Sequence, residues 1–241
     1  MYAERLQETL PRVREVIRDA AHAAGRTEES VRLVAVTKGH PLAAVRAALA
    51  AGLTDLGENR VGELEEKVRA VGREGVRWHM IGHVQRRKAP ALVGLAHLVH
   101  SVDRIALAER LGRAAVAAQS EVSVLVQVNT SGEEAKGGFP LREAVEGVLR
   151  VAETAGLRVE GLMTMAPYVD DERVLRQAFG RLREALADVR RHDARVGGEL
   201  SMGMSNDLRW AVEEGSTMVR IGTALLGPRT PGEAPAGREV G

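Results

Sequence analysis

Short runs of β-branched and other apolar residues recur at near-regular intervals along this chain, and the segments between them repeat their apolar positions every three or four residues. The short runs predict strands at 31–38, 54–58, 77–82, 98–102, 122–129, 158–165, 199–205 and 217–226. The longer segments predict helices at 42–51, 61–71, 86–94, 104–118, 141–155, 172–191 and 206–214, with an amphipathic helix at 3–24 ahead of them. Parallel strands need crossover helices, and eight such units in roughly 250 residues is the size of a (β/α)8 barrel. The alternative, a doubly wound open sheet, normally carries a Gly-rich fingerprint after its first strand, and VTKGHP is not one. The predicted fold is therefore α/β, a single (β/α)8 TIM barrel over 1–227 with its extra N-terminal helix across the barrel's bottom or side. A Pro- and Gly-rich segment, PRTPGEAPAGREVG, follows as a disordered tail at 228–241.

Composition narrows the function. A net charge of +1 gives no global attraction to phosphate backbones or anionic lipid, and two Trp, two Tyr and two Phe leave few platforms for stacking bases. Nucleic acid is not a predicted partner. With no cysteine, disulfides, thiolate metal sites and cysteine nucleophiles are excluded. The first 25 residues are charged throughout, unlike a secretory signal, and no later apolar stretch is long enough to span a bilayer. These features predict a cytoplasmic protein with no membrane partner.

In a barrel the strand C-terminal ends face the site. Those ends supply Lys38 from the first strand, Asn59 with Glu58 from the second, His79 and Gly82 from the third, Ser101 and Asp103 from the fourth, and Asn129 from the fifth. The sixth gives Met163 and Met165, the seventh Ser201, Met202, Gly203 and Ser205, and the eighth Arg220, Gly222 and Thr223. Lys38 ends the apolar run LVAVTK in a chain with four lysines against thirty arginines. Desolvation at a strand mouth disfavours the ammonium and exposes a free amine, the nucleophile that aldehyde cofactors require; a solvated lip residue is the other reading. LSMGMSND and IGT place small residues and hydroxyls where a helix starts, a pattern that suits phosphate as well as a plain capped turn. A cofactor reaching from Lys38 to that anion site lays its ring near Arg220. Guanidinium only donates hydrogen bonds, so it matches an unprotonated ring nitrogen and weakens an electron sink. The histidines have no metal-ligand spacing, and no nucleophile-elbow motif occurs.

The motifs AVTK, LGEN, WHMIGHVQ, HSVDR, VLVQVNTSGEEAKGG, GLMTMAP and LSMGMSNDLRWAVEEGSTMVRIGTALLG resemble those of the pyridoxal phosphate homeostasis protein family, which is related to the barrel of alanine racemase. The likeness runs from about Leu6 to Gly227. It implies that Lys38 carries pyridoxal 5′-phosphate as a Schiff base, that Ser205, Gly222 and Thr223 contact the phosphate, and that Arg220 faces the pyridine nitrogen. Lys136 matches a loop lysine near the site. Arg60, Gly62, His83, Val84 and Arg87 depart from the family pattern at the pocket rim. The implied function is intracellular buffering and delivery of pyridoxal phosphate, without efficient catalysis, by a monomer whose partners are the cofactor, other B6 vitamers and the apoenzymes that need it. The alternative is a pyridoxal-phosphate-dependent amino-acid racemase using Lys38 with Tyr168 or Lys136. Two-base racemisation needs a group on the opposite ring face, and here the sequence ends about fourteen residues after the barrel.

Overall fold

A computed structural model describes residues 1–133 and 136–228. The strands are β1 (Arg32–Val36), β2 (Asp55–Glu58), β3 (Arg77–Met80), β4 (Leu98–Val102), β5 (Val122–Asn129), β6 (Phe139–Pro140), β7 (Leu157–Met163), β8 (Glu199–Ser201) and β9 (Met218–Ile221). All pair in parallel in the order β4-β3-β2-β1-β9-β8-β7-β5, and β4 also pairs with β5, so eight strands close on themselves as a TIM barrel. β6, absent from the sequence prediction, is a two-residue appendage on the end of β5.

The helices are α1 (Tyr2–Ala23), α2 (Leu42–Ala50), α3 (Val61–Val71), α4 (Ile105–Ala117), α5 (Ala144–Ala152), α6 (Glu172–His192), α7 (Leu208–Glu213) and α8 (Thr223–Leu226). The predicted helix at 86–94 is a 3-10 turn over Arg86–Leu92 that contains Pro90, whose missing N–H and ring oppose an α-helix interior. The predicted eighth strand at 217–226 overran: it stops at Ile221, and the apolar run beyond Gly222 winds into α8. A run such as TALL carries no period long enough to separate the two states. The seventh strand likewise ends at Ser201, because Gly203, at φ +100°, turns the chain out of the sheet.

The two-residue period of the strands sorts side chains into two compartments. Outward-facing Ala35, Leu56, Trp78, Met80, Val124 and Val126 pack with the helices into the large outer core. Inside the barrel lies a separate apolar cluster of Val34, Leu98, Leu125, Met163 and Met218. Gly57 belongs to this interior, where an added Cβ would lie 3.1 Å from the Val34 side chain and 3.3 Å from that of Ile81. Helix α1 covers the barrel's side, packing on α7, α8 and α2 through Leu6, Val13, Ile17, Ala20 and Ala21. Its placement reaches the site. Thr9 donates to the Leu225 carbonyl in α8, and the Tyr2 hydroxyl meets His40 Nδ1 just beyond Lys38.

Candidate functional site

The inward parity of Val34 and Val36 continues to Lys38, which is half-buried at the C-terminal mouth of β1. There it lines a cavity of about 510 Å³, within the range of small-molecule sites. The cavity brings together Lys38, Asn59, Ser205, Arg220, Gly222 and Thr223 with Lys136, Met165, Tyr168 and Asp207. Ten of the strand-end residues predicted to face the site lie elsewhere than its lining, among them Glu58, Gly82, Ser101, Asp103 and Asn129. His79, Met163, Ser201, Met202 and Gly203 are buried beneath or behind the cavity floor. Met163 belongs to the interior apolar cluster and Met202 to the outer core, and the Gly203 carbonyl accepts from the Arg220 backbone N–H.

Two devices hold the peptide on either side of Lys38. The Lys67 ammonium, on α3, donates to the Thr37 carbonyl, to Glu58 Oε1 and to Glu63 Oε1, each at 2.8 Å. Glu63 also accepts from the Gly39 N–H at 2.6 Å, and Thr37 Oγ1 donates to Glu58 Oε1 at 2.5 Å. Glu58 is fully buried, and its Oε2 has no hydrogen-bond partner among the described residues. Burial pushes its carboxyl up from 4.5 to about 7, against the pull of Lys67. The sequence signal for this cluster was the i, i+4 spacing of Glu63 and Lys67 in a lysine-poor chain. Their meeting with Glu58 was not readable.

At the opposite end, Ser205 Oγ accepts from the Ala224 N–H at 3.3 Å, tying the β8–α7 turn to the first turn of α8. Gly222 precedes that turn with its missing side chain close to Val36, and Thr223 adds a hydroxyl at the same rim. Small residues, hydroxyls and turn amides make a donor set suited to an oxyanion. Arg220 stands between the two ends. Its Nη1 donates to Ser201 Oγ at 2.6 Å and its Nη2 to the Thr164 carbonyl at 2.9 Å, which leaves other guanidinium N–H groups for the cavity. Burial lowers Arg220 from the usual guanidinium range to about 10, and the Asp207 carboxylate works in the opposite direction. Asp207 is itself raised by burial, and its side chain holds the Met204 N–H.

The rim is set by close contacts. A Cβ on Gly82 would fall 2.2 Å from the Asn59 carbonyl oxygen and 2.5 Å from its Oδ1, so only glycine lets Asn59 take this place at the cavity edge. Lys136 reaches across the mouth, donating to Glu133 Oε1 at 3.0 Å and to the Ala166 carbonyl at 2.7 Å. Glu134, read with Glu133 and Lys136 as part of a charged loop, lies outside the described residues, as does the predicted tail beyond Pro228. Tyr168 is 87% exposed on the rim.

The family described as "Alanine racemase, N-terminal domain" matches residues 10–230. A curated relative from Pseudomonas aeruginosa, named pyridoxal phosphate homeostasis protein, is 41% identical over 232 residues, covering 96% of this chain and 98% of its own. PipY of Synechococcus elongatus, solved with PLP bound, is 34% identical with a TM-score of 0.77, over 88% of this chain and all of its own. Alanine racemase of Clostridium difficile aligns with a TM-score of 0.77 at 13% identity, over 92% of this chain and 59% of its own, a likeness of fold.

Proposed function

This chain belongs to the pyridoxal phosphate homeostasis proteins, on the alanine racemase N-terminal fold, and from that membership we propose how its own residues hold the cofactor and to what end. It binds pyridoxal 5′-phosphate and serves its homeostasis. The cofactor supplies an aldehyde carbon that an amine can capture and a phosphate that can be anchored. In our reading Lys38 takes the aldehyde as a Schiff base, Ser205, Gly222 and Thr223 take the phosphate, and Arg220 donates to the ring nitrogen. Asn59 borders the ring at the β2 mouth.

One observation carries this reading: the same cavity is lined by the amine at the end of β1 and by the hydroxyl and amide turn after β8 and β9, with a donor-only guanidinium between them. A phosphorylated aldehyde needs both ends held. The donor set fits it.

Storage and delivery without efficient turnover is the further part of the proposal. A guanidinium cannot accept a proton from a ring N–H, so it favours the neutral ring and withholds the electron sink that carbanion chemistry uses. Neither candidate second base is poised: Lys136 is engaged by Glu133 and Ala166, and the Tyr168 side chain stands in solvent. The proposal extends to other B6 vitamers, to apoenzymes as recipients, and to a cytoplasmic monomer. Among the described residues no helix is long and apolar enough to cross a membrane.

The test is borohydride reduction of the protein incubated with pyridoxal 5′-phosphate, followed by mass spectrometry of the labelled peptide. The expected result is one reduced pyridoxyl group on Lys38, absent from Lys38→Ala. Labelling that survives unchanged in Lys38→Ala overturns the assignment. Steady racemisation of any amino acid by wild type, abolished by Lys38→Ala, would promote the racemase reading over the carrier.

A further inference from the structure

A row of polar side chains runs through the barrel interior beneath the cavity. Arg77, from β3, clamps Asp55 at the start of β2, with Nε 2.8 Å from Oδ1 and Nη2 2.6 Å from Oδ2. Asp55 Oδ1 lies 3.0 Å from His79 Nε2. His79 Nδ1 lies 2.9 Å from His100 Nε2, and His100 Nδ1 lies 2.9 Å from Ser201 Oγ. Ser201 in turn receives Arg220. Five strands contribute, and Asp55, His79, His100 and Ser201 are all buried.

The carboxylate end, with two neutral imidazoles beyond it, fixes the direction of every bond up to Ser201. A carboxylate only accepts, so His79 Nε2 carries the proton it presents to Asp55. Burial holds His79 below its ordinary range and His100 well below it, so each imidazole is neutral and has one N–H. His79 Nδ1 is then an acceptor, which requires His100 to donate from Nε2. His100 Nδ1 becomes an acceptor in turn and takes the Ser201 hydroxyl proton. The Ser201 oxygen is left with lone pairs for a donor, and Arg220, which has no acceptor, supplies one. The Arg220 end is compatible with this order, since the serine oxygen has a lone pair free for the guanidinium N–H. Such a head-to-tail series polarises cooperatively in a low-dielectric interior, and it offers no second arrangement of equal quality.

We propose that Ser201, His100 and His79 are positioning residues for Arg220, forming with Asp55 a one-way chain of hydrogen bonds that fixes the guanidinium against the ring of the bound cofactor. This role rests on the functional reading given above. It also accounts for three buried polar residues that do not line the cavity. Without the chain, Arg220 keeps its Thr164 contact alone and can swing about it.

Nitrogen-15 NMR of the wild-type protein tests the chain without any substitution. Both His79 and His100 are expected as neutral Nε2–H tautomers from pH 6 to 8. An imidazolium, or an Nδ1–H tautomer at either ring, overturns the proposal. The second measurement is the absorption spectrum of the cofactor-loaded protein and the rate at which it releases pyridoxal 5′-phosphate. Ser201→Ala is expected to displace the spectrum in the same sense as Arg220→Lys and to speed release about tenfold, the low end of the effect when an outer hydrogen-bond partner is lost. Ser201→Thr, which keeps the hydroxyl, is expected to restore both. An unchanged spectrum and release rate in Ser201→Ala, with both altered in Arg220→Lys, overturns the positioning role alone. A wild type that takes up no cofactor overturns the functional reading and this role together.

Discussion

Replacing Lys67 by Met tests whether the buried cluster behind Lys38 is an electrostatic unit. Methionine matches the length of the stem and removes the ammonium. Three hydrogen bonds of 2.8 Å are lost at once, in a place where the Lys67 side chain is 5% exposed, Glu58 0% and Glu63 9%. Removing one partner of a buried pair costs about 3–5 kcal/mol, because the remaining charge has neither water nor a counterion. The cost depends on pH. Even beside Lys67, burial raises Glu58 from 4.5 to about 7, so the folded protein binds this proton more tightly than the unfolded chain. Wild-type stability from this group is therefore present in full below about pH 4.5 and falls as pH rises toward 7. Without the ammonium the carboxyl moves higher still. The deficit of the variant then grows by about 1.4 kcal/mol per pH unit above neutrality, until Glu58 ionises in the variant as well. Urea unfolding of both proteins at pH 6 and pH 8 reads this directly, and taking the difference between them cancels the opposite contribution of the buried histidines. A deficit below about 1 kcal/mol at pH 8, or one that does not change between the two pH values, would refute the reasoning. Cofactor affinity is expected to weaken in parallel, since Lys67 holds the Thr37 carbonyl and Glu63 the Gly39 N–H.

Gly82→Ala places a methyl 2.2 Å from the Asn59 carbonyl, so we expect overpacking of about 1–3 kcal/mol and roughly tenfold weaker cofactor binding, read by thermal unfolding and fluorescence titration. Unaltered binding would show that Asn59 is dispensable at the rim. Asp171 accepts from the Arg173 and Val174 N–H groups at the start of α6, and its replacement by Ala is expected to cost about 1 kcal/mol in chemical denaturation while leaving the cofactor spectrum as in wild type. Tyr168→Ala removes an 87% exposed ring and is expected to move stability by less than about 0.5 kcal/mol, with no change in cofactor affinity. A large loss of affinity would place the ring over the cofactor and count against the open-rim reading. Asp55, held well below the ordinary carboxylate range by Arg77 and His79 against its burial, stabilises the fold above about pH 4 and loses that contribution on acidification; Asp55→Asn is expected to flatten the acid limb of a stability profile.

The alternation of strand and helix patterns was enough to specify the barrel, because each strand must bury an outer face under a crossover helix and that demand is written locally as period and length. Strand parity also carried Lys38 to the cavity, and the small-residue turns carried Ser205, Gly222 and Thr223 to its other end. Local pattern failed where two backbone states share one composition, as at TALL after Gly222, and where proline converts a helical period into a 3-10 turn. It failed more completely for the polar interior. His79 is a strand-end residue by position, but its partners are 24 and 21 residues away, and Ser201 lies 101 residues from His100. Lys67 on α3 and Glu58 on β2 meet because the crossover folds back on its own strand, a distance of nine residues that no strand or helix period links. Closing the barrel decides which inward groups face one another and which are deprived of water. Donor and acceptor matching across strands, the depressed histidines and the raised Glu58 all follow from that closure, since each arises only when chain-distant groups share one dry space.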